Sequence, residues 1–491
     1  MTQRSKKIFR IRLIIAFIIL IVVVVAFGIY AGWFSKYHDI STQEELYAME
    51  KGKSYRLTAD IDLEGNYWTP KKVKAFDGNG HTIRNCTINE MYDPYVGTTT
   101  SSSYSTSTAF FSEVEYLENV TFENIIVMAT DASKIAIVVA EGRRSSPFQR
   151  KSGGFKNIAI KGCSITGNAG YSGVNIGLLC ARGYTDIIDE CLIDNCTIRC
   201  NVTNGGNFKI GGLCGTCSYE IEITNNTIQN CNIEIISPDV YGILNVGGIV
   251  GHYSTTLQHG FSLSNCLAKN NTFKIEANSN SDRATRIGGI IGYSGEADGY
   301  NGGNIKTNGI VSQCASIGNT FEVAVANNYS LGGIVGRNDG QIENCLSDNN
   351  NFVATSNYSS VTANLGGLCG VSYNTIKNSI SQNCEIRGTS GSGNEVNTAG
   401  FIGSSEASIA YCAVNNNVVS GGNSDIFTSK SNMVFNCYVR GRQIPSNINN
   451  IPILEDEWNS ILTKLALDTT IWGQVLGGDL QLKGVGNQNK I

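Results

Sequence analysis

The sequence has few of the residues on which common enzymes depend. It contains only four histidines, His38, His81, His252 and His259, among its 491 residues. No Ser-His-Asp order, H-E-x-x-H motif or phosphate-binding glycine loop is present. These absences exclude the familiar signatures of hydrolases, zinc proteases and nucleotide-binding enzymes. The sequence therefore predicts a non-enzymatic protein with no catalytic residues, no metal and no cofactor.

Charged residues are also scarce. They make up 16% of the chain, and the formal net charge is −4. Five basic residues lie within residues 1–12, and no strongly basic field follows them. Because nucleic-acid binding depends on such fields, nucleic acid is not an expected partner.

One long apolar run follows the basic segment. Residues 13–34 carry no charge and are long enough to cross a bilayer core of ~30 Å as a helix. Basic residues stay on the cytoplasmic side, so residues 1–12 are expected inside and the rest of the chain outside the cell. This predicts a single-pass, uncleaved signal-anchor. The alternative is a cleaved signal peptide, with a site near Gly28–Ala31, and a secreted protein.

The rest of the chain is a degenerate repeat, clearest in Leu331–Val353. Apolar residues recur three positions before each of eleven anchors, and Asn stands directly before eight of the anchors. The anchors are Cys86, Val120, Ile158, Cys191, Asn226, Cys266, Cys314, Cys345, Ser379, Cys412 and Cys437. Fixed-period self-similarity of this kind is the signature of a solenoid.

Each repeat contains three short apolar pieces, the first of them glycine-rich, as in Gly333-Ile-Val-Gly. None is long enough for a helix, and alternation with β-branched residues indicates strands. Three strands in each repeat without helical connections predict an all-β, single-stranded parallel β-helix of about eleven coils. Coils ~4.8 Å apart would stack Ile342, Ile376 and Ile409 in one column.

The asparagine column has a structural interpretation. Asn tolerates left-handed backbone, so it suits a corner between strands, and stacked amides form ladders. An array that binds sugar or metal is the alternative.

Sixteen cysteines in an exported protein raise the question of disulfides. Cys266, Cys314 and Cys345 are predicted to share one column, but parallel side chains on neighbouring coils keep their Cβ atoms beyond the usual ~3.8 Å. Most cysteines are therefore predicted to be buried, reduced and hydrophobic in role. The lone pair Cys214 and Cys217 is a weak candidate for zinc, which needs four ligands.

The glycine-rich piece followed by I-x-N-C resembles the GLUG motif, a repeat of bacterial surface and secreted proteins. Ser41–Leu46, Tyr55–Leu63, Trp68–Pro70 and Phe76–Ile83 resemble the N-terminal part of the same family. The resemblance covers about Ile40 to the C-terminus and implies a right-handed parallel β-helix, without supplying catalytic residues. The expected organisation is an N-terminal cap over residues 36–82, repeats over 83–440, and a C-terminal cap and tail over 441–491.

Both caps are predicted to contain a short helix. Ser41–Glu50 would begin with a capping box formed by Ser41 and Glu44. Leu454–Leu467 would carry its apolar residues on one face; these are Leu454, Trp458, Ile461, Leu462 and Leu465.

Three functions fit this organisation. The first is a membrane-anchored, extracellular, adhesin-like protein that binds a glycan or a surface protein. The second is a carbohydrate-active enzyme, a polysaccharide lyase or hydrolase, for which Asp186, Glu220 and Glu222 are the best acidic candidates. The third is a passive structural spacer.

Two insertions are the candidate binding loops, Glu141–Gly154 and Tyr293–Gly309. They are predicted to leave the same edge about four coils apart and to shape a shallow groove. The first supplies positive charge and the second aromatic rings, a combination suited to an anionic glycan or an acidic protein patch. The candidate residues are Arg143, Arg144, Arg150, Lys151, Tyr293 and Tyr300.

Overall fold

The computed structural model describes most of the chain from Tyr37 to Gly486. The described ranges are 37–92, 106–129, 131–143, 153–169, 173–203, 206–218, 220–237, 242–255, 260–277, 284–296, 307–356, 361–390, 394–428, 433–441, 454, 457–475 and 478–486. None of the helices in these ranges has the length and apolar character to span a bilayer. The predicted span at residues 13–34 lies outside them.

Each coil contains five short strands rather than the three predicted. In a representative coil they are Tyr329–Gly332, Val335–Asn338, Gln341–Glu343, Leu346–Asp348 and Asn351–Ser356. Equivalent strands stack into five columns, which we number one to five in this order. The prediction was too low because a glycine turn divides columns one and two, and a left-handed residue such as Asn344 divides columns three and four.

Columns one and two form two separate ten-stranded sheets. The strands of column one are Ser107–Thr108, Lys134–Ala136, Asn175–Gly177, Phe208–Gly211, Leu244–Gly247, Thr285–Gly288, Tyr329–Gly332, Thr362–Gly366, Glu395–Ala399 and Asn423–Asp425. Those of column two are Lys71–Lys72, Phe111–Val114, Val139–Gly142, Cys180–Gly183, Cys214–Ser218, Val250–Thr255, Ile291–Glu296, Val335–Asn338, Cys369–Ser372 and Ile402–Ser405.

Columns three to five belong to one 31-stranded sheet. Column three comprises His38–Ile40, Ser54–Leu57, Ala75–Asp77, Ile187–Asp189, Glu222–Thr224, Ser262–Ser264, Ile310–Ser312, Gln341–Glu343, Ile376–Lys377, Ile409–Ala410 and Val434–Phe435. Column four comprises Ile61–Asp62, Leu192–Asp194, Thr227–Gln229, Leu267–Lys269, Ala315–Ile317, Leu346–Asp348, Ile380–Gln382, Ala413–Asn415 and Tyr438–Arg440. Column five comprises Ser164–Ala169, Thr197–Val202, Asn232–Ser237, Thr272–Ala277, Thr320–Val325, Asn351–Ser356, Glu385–Ser390 and Val418–Ser420. Three longer strands run through more than one column: Thr82–Ile88, Tyr116–Ala129 and Gly154–Lys161.

Strands of neighbouring coils pair in parallel, which confirms a parallel β-helix. Ile342 pairs with Ile376, and Ile376 pairs with Ile409, so the predicted column of isoleucines is confirmed. All three side chains are fully buried. Their stacking forms part of a continuous apolar core that runs along the solenoid.

The first repeat was placed in the wrong register. Ile83 pairs with Phe122 in column four, whereas the sequence predicted that it would stack below Leu117. Leu117 instead pairs with Phe76 in column three. Cys86 consequently pairs with Ile125 and not with Val120. The error arose because columns three and four both place an apolar residue three positions before a buried anchor.

The predicted asparagine corner is confirmed, and a second corner follows it. Asn344 and Asn378, which lie between columns three and four, have φ values of 52° and 51°. Asn349 and Asn383, between columns four and five, have φ values of 52° and 55°. Left-handed backbone favours Asn at both positions because its short polar side chain bonds locally.

The residue after each corner explains much of the cysteine and asparagine content. The backbone N–H of this residue points into the core, where it donates a hydrogen bond to the side chain of the equivalent residue in the next coil. Cys191 N donates to Asn226 Oδ1 at 2.9 Å, and Cys196 N donates to Cys231 Sγ at 3.4 Å. Asn and Cys are therefore alternative buried acceptors, and an unpaired buried N–H would be costly.

All sixteen cysteines are buried, and none is joined to another, in agreement with the prediction of buried thiols. Burial raises the pKa of Cys86 and of Cys200 to about 12. Such thiols are weak nucleophiles at neutral pH. Their role in this structure is packing and acceptance of backbone N–H groups.

Glycines form the turn between columns one and two because neighbouring backbones approach closely there. A Cβ at Gly333 would lie 2.1 Å from Ser347 Oγ and 2.3 Å from Gly367 O. A Cβ at Gly336 would lie 2.6 Å from Ile287 N. Any side chain at these positions would separate the coils, so the glycine-rich piece of the repeat specifies a sharp corner.

The N-terminal helix is Gln43–Tyr47, and its cap lies one residue later than predicted. Thr42 accepts the N–H of Glu45, and Glu45 accepts the N–H of Thr42 at 3.2 Å. Ser41 lies outside the helix and donates to the same carboxylate. Because the helix starts at Gln43, the Leu46 side chain faces the core, where it is fully buried.

The C-terminal segment packs along the side of the solenoid. We call residues 454–486 the strap. It contains a 3-10 turn, Trp458–Ser460, a helix, Ile461–Lys464, and a hairpin, Trp472–Gln474 with Leu480–Leu482. The helix predicted over Leu454–Leu467 is thus limited to Ile461–Lys464, but the five residues predicted for its apolar face do pack into one apolar cluster.

The other side of that cluster is an outward-facing row of column four. The row consists of Leu267, Ala315, Leu346, Ile380 and Ala413, one from each of five successive coils. Gln382 exchanges two hydrogen bonds with the backbone of Leu480, at 2.9 and 3.0 Å. The strap was predicted to be an end cap because outward apolar residues cannot be told from inward ones in a short strand.

Candidate functional site

Columns one and two meet at a corner that is concave on its outer side. Outward side chains seven residues apart therefore face each other across the corner. Lys134 Nζ lies 2.6 Å from Glu141 Oε2, and the Arg286 guanidinium lies 4.1 Å from the centre of the Tyr293 ring. The outward side chains of these two columns, with the residue that follows each column-two strand, line what we call the groove.

The N-terminal part of the groove is a network of paired charges. Glu113 lies between Lys72 and Arg143, at 2.7 and 3.0 Å. Glu141 lies between Lys134 and Arg143, at 2.6 and 3.3 Å. Burial opposes ionisation of Glu141, but Lys134 and the neighbouring arginines hold its pKa below the ordinary value. Glu113 and Glu141 thus each have two cationic partners.

The next coils contain an open cleft of about 170 Å³. It is lined by Ser133, Gly173, Asn175, Arg182, Lys209 and Thr216. Thr216 Oγ1 donates to Asn175 Oδ1 at 2.6 Å, and both side chains are buried. Arg182 lies over the ring of Tyr184, 4.8 Å from its centre, and donates to its hydroxyl group.

Further along, the groove is filled by stacked rings and charges. The rings of His252 and Tyr293 are 4.9 Å apart and nearly parallel. Tyr293 donates to Asp339 at 2.8 Å, and Arg337 lies 3.3 Å from the same carboxylate. Asp339 is only 1% exposed, and burial raises its pKa although Arg337 opposes the shift. A buried carboxyl group of this kind is found at functional and structural sites alike.

The C-terminal part of the groove contains an amide ladder. Asn397 Nδ2 donates to Asn364 Oδ1 at 3.0 Å, and Asn423 Nδ2 donates to Asn397 Oδ1 at 3.3 Å. The groove thus changes from paired ions, through a cationic cleft and a stacked aromatic block, to amides.

Two of the six predicted binding residues fall within the described residues. Arg143 follows a column-two strand and is held by Glu113 and Glu141. Tyr293 was predicted in a loop, but it belongs to the strand Ile291–Glu296 and is 4% exposed. Its buried contact with Asp339 crosses to the next coil and could not be read from local sequence. Arg286 lies seven residues before Tyr293 in the same coil.

The other four, Arg144, Arg150, Lys151 and Tyr300, lie outside the described residues. The strands before the two insertions do share column two. Glu141 pairs with Arg182, Arg182 with Thr216, Thr216 with His252, and His252 with Tyr293. Four coil steps at ~4.8 Å separate Glu141 and Tyr293 by roughly 20 Å.

The acidic candidates for catalysis lie away from the groove. Glu222 N donates to Asp186 O at 2.9 Å, so these residues occupy adjacent coils as predicted. The Asp186 carboxylate accepts the N–H of Gly153 at 3.1 Å, while Glu220 and Glu222 are exposed. Within the described ranges, no group of three or more His, Cys, Asp or Glu side chains is arranged to hold a metal ion.

The strand pairing defines this chain as a parallel β-helix repeat protein. No protein-family model and no curated protein matches it. A solved structure similar to it is that of a "putative immunoglobulin A1 protease" from Bacteroides ovatus, with 15% identity and a TM-score of 0.32. The alignment covers 92% of this chain and 93% of that chain. The fold assignment depends on the strand pairing, and the GLUG resemblance stays a prediction.

Proposed function

We propose that this chain is a surface-displayed, adhesin-like protein that binds an extended polar ligand along the groove. The observation that carries the proposal is the concentration of polar and charged side chains in the concave corner. Cations in this groove include Lys72, Lys134, Arg143, Arg182, Lys209, Arg286 and Arg337; acids include Glu113, Glu115, Glu141, Asp339, Glu395 and Glu406.

The shape of the groove supports an extended ligand. It follows ten stacked strands on each wall, which corresponds to roughly 43 Å at ~4.8 Å per coil. Regular spacing along a rigid scaffold presents groups at fixed intervals, as a polymer with a repeating unit requires. Solenoids commonly bind their partners on extended concave surfaces of this kind.

Display at a membrane is part of the proposal. Residues 13–34 form an apolar run preceded by a basic segment, which supports insertion with the β-helix outside the cell. Treating intact cells with a protease tests this orientation: the β-helix is expected to be cleaved from outside, whereas protection of the whole chain would contradict external display.

The test of groove binding uses the full chain, purified in mild detergent because of its apolar N-terminal run. A glycan array and a panel of surface proteins first identify a ligand. Asn364→Trp then places a bulky ring in the groove, while Glu322→Trp places the same ring on the exposed outer face of column five. We expect the first variant to weaken binding at least tenfold and the second to leave it unchanged.

If the Asn364→Trp variant binds as the parent does, the groove is not the binding surface. If the intact chain binds no glycan or surface protein, the proposal fails and the spacer function gains support.

Carbohydrate-active catalysis is the second candidate, and the buried pair Tyr293 and Asp339 favours it. A carboxyl group with a raised pKa beside a tyrosine hydroxyl is a possible general acid. Incubation with polysaccharides should then release new reducing or unsaturated ends, and Asp339→Asn should abolish their release. An intact chain without such activity would leave binding as the function of the groove.

A further inference from the structure

The outer face of column five changes from apolar to polar along the solenoid. Its apolar N-terminal part consists of Tyr67, Ile126 and Met128, which we call the basal patch. We propose that the basal patch lies against the lipid bilayer, so that the solenoid leans on the membrane instead of standing upright on it. This inference rests on the membrane display proposed above and adds the surface through which the β-helix itself contacts the membrane.

The side chains of the basal patch are large and apolar, yet they are open to solvent. Tyr67 is 65% exposed, Ile126 46% and Met128 50%. Single exposed apolar residues are common on protein surfaces, whereas contiguous ones mark sites of contact with proteins or membranes. Whether these three residues are contiguous therefore decides how they are interpreted.

Strand pairing brings the three residues together. Tyr67 pairs with Thr87, and Thr87 pairs with Ile126, so Tyr67 and Ile126 lie two coil steps apart in one outward row. Two steps correspond to about 10 Å at ~4.8 Å per coil. Met128 follows Ile126 by two residues in the same strand, Tyr116–Ala129, and so points to the same side. The three side chains thus form one patch.

The two outward rows that start in the basal patch become polar in the following coils. After Ile126, the first row continues with Ser164, Thr197, Asn232, Thr272, Thr320, Asn351 and Glu385. After Met128, the second row continues with Thr166, Arg199, Glu234, Lys274 and Glu322. Apolar residues return singly in these rows, at Val353 and Val418. Contiguous apolar residues are therefore confined to the N-terminal coils of these rows.

The basal patch lies close to the point where the chain would leave the membrane. The apolar run ends at residue 34, and the first strand of the solenoid begins at His38, so at most about 14 Å of chain separates them. Counted along column three, Tyr67 lies one coil and Ile126 three coils beyond that strand. These steps correspond to a rise of roughly 5 to 14 Å. A lean toward column five would bring the whole patch to the bilayer.

The composition of the basal patch suits the region where acyl chains meet headgroups. Tyrosine is enriched there because its ring is apolar and its hydroxyl group is polar. Amphipathic surfaces bury their apolar side about 5–10 Å into this region, which Ile126 and Met128 would enter. Exposed acidic residues, Glu90 and Asp131, follow the strands of these coils. A zwitterionic bilayer is therefore the expected partner, since anionic lipid would repel them.

The test uses the full chain in phosphatidylcholine vesicles. Ile126→Cys places a reactive thiol in the patch for a polarity-sensitive fluorophore, because the sixteen native thiols are buried. Val418→Cys is the matched control: Val418 is 52% exposed and lies in the same outward row, eight coil steps further on. We expect brominated lipid to remove at least half of the emission at position 126 and to leave the emission at position 418 unchanged.

A second arm excludes attraction of the fluorophore itself to lipid. Thr87→Cys places the label between Tyr67 and Ile126, and this labelled chain is compared with one that also carries Tyr67→Ser and Met128→Ser. The polar replacements should lower the quenching by brominated lipid at least twofold, because they remove the apolar surface that holds the face against the bilayer. Circular dichroism confirms that each variant is folded. Equal quenching in the two chains would mean that the label, and not the patch, seeks the membrane.

The remaining outcomes separate this inference from the proposed function. If the chain does not float with vesicles, display at a membrane is wrong and the inference falls with it. If the chain floats but position 126 is not quenched, the inference alone is wrong. A blue-shifted emission that is insensitive to brominated lipid and is lost as the protein is diluted in the membrane would assign the patch to a second copy of the chain. Equal quenching at positions 126 and 418 would contradict a contact confined to the base.

Discussion

The buried Asn and Cys side chains that follow the corners form a hydrogen-bonded ladder, and this ladder gives the sharpest test of how the solenoid is stabilised. Asn319 is fully buried, and its Oδ1 accepts the backbone N–H of Asn271 at 2.8 Å. Its Nδ2 donates to Ala268 O at 2.9 Å and to Ser316 Oγ at 3.0 Å. Asn319→Ala removes the acceptor and the donor together, and leaves the Asn271 N–H and the Ala268 carbonyl in the core without this partner.

The expected loss follows from these contacts. Each buried polar group left without a partner costs roughly 1–3 kcal/mol, so Asn319→Ala should lower the free energy of unfolding by about 2–6 kcal/mol. Asn319→Cys should lose less than Asn319→Ala. A thiol at this position can accept the N–H of Asn271, as Cys231 accepts that of Cys196. One recovered buried hydrogen bond corresponds to about 1–2 kcal/mol.

Urea unfolding followed by circular dichroism measures the differences in stability. Because solenoids need not unfold in one step, hydrogen exchange of the peptide that contains Asn271 should be measured in parallel. Glu322→Ala, an exposed change in the same coil, is the control and should stay within about 0.5 kcal/mol of the parent. If Asn319→Cys is no more stable than Asn319→Ala, the account of buried thiols as acceptors is refuted.

Three further predictions concern the thiols, the strap and acid sensitivity. Cysteines should resist alkylation in the native state at pH 8, because burial raises the pKa of Cys86 and Cys200 to about 12. After denaturation without reductant most should react, and a mass shift showing fewer than half of the sixteen modified would contradict reduced thiols. Trp472→Ala should cost about 3–5 kcal/mol and increase hydrogen exchange around Leu346, since both belong to the cluster under the strap; unchanged exchange there would mean that the strap does not protect the row. Hydrogen bonds from Glu64 N and from the side chains of Asn85 and Arg84 lower the pKa of Asp62. The contribution of Asp62 to folding stability is therefore present above the ordinary pKa of Asp and is lost as the pH falls through the lowered pKa of the folded state. The difference in melting temperature between the parent and Asp62→Asn should therefore be larger at pH 7 than at pH 3, and an equal difference would exclude this linkage.

Much of the repeat architecture could be predicted because it depends on columns that are visible in one sequence. Inward apolar residues such as Ile342 and Ile376 recur with the Asn that follows them, and stacking is their simplest explanation. The second corner could have been found in the same way, since Asn349 and Asn383 also share a column.

The groove could not be predicted from local sequence in the same way. Whether an outward residue meets solvent or another side chain depends on the angle between two sheets, and period-two alternation does not encode that angle. Lys134 and Glu141 have the sequence of ordinary exposed strand residues, yet they face each other at 2.6 Å. A signal was present in the constant spacing of seven residues, which also relates Arg286 to Tyr293.

The strap has a consequence for the order in which the chain matures. The row from Leu267 to Ala413 is synthesised before Trp458, so its apolar surface has no cover until the strap is made. Exposed apolar patches on incomplete chains bind chaperones and each other. The strap, which is made after the row, covers it. A nascent or truncated chain that lacks the strap exposes one apolar row, which provides a physical basis for recognition by chaperones.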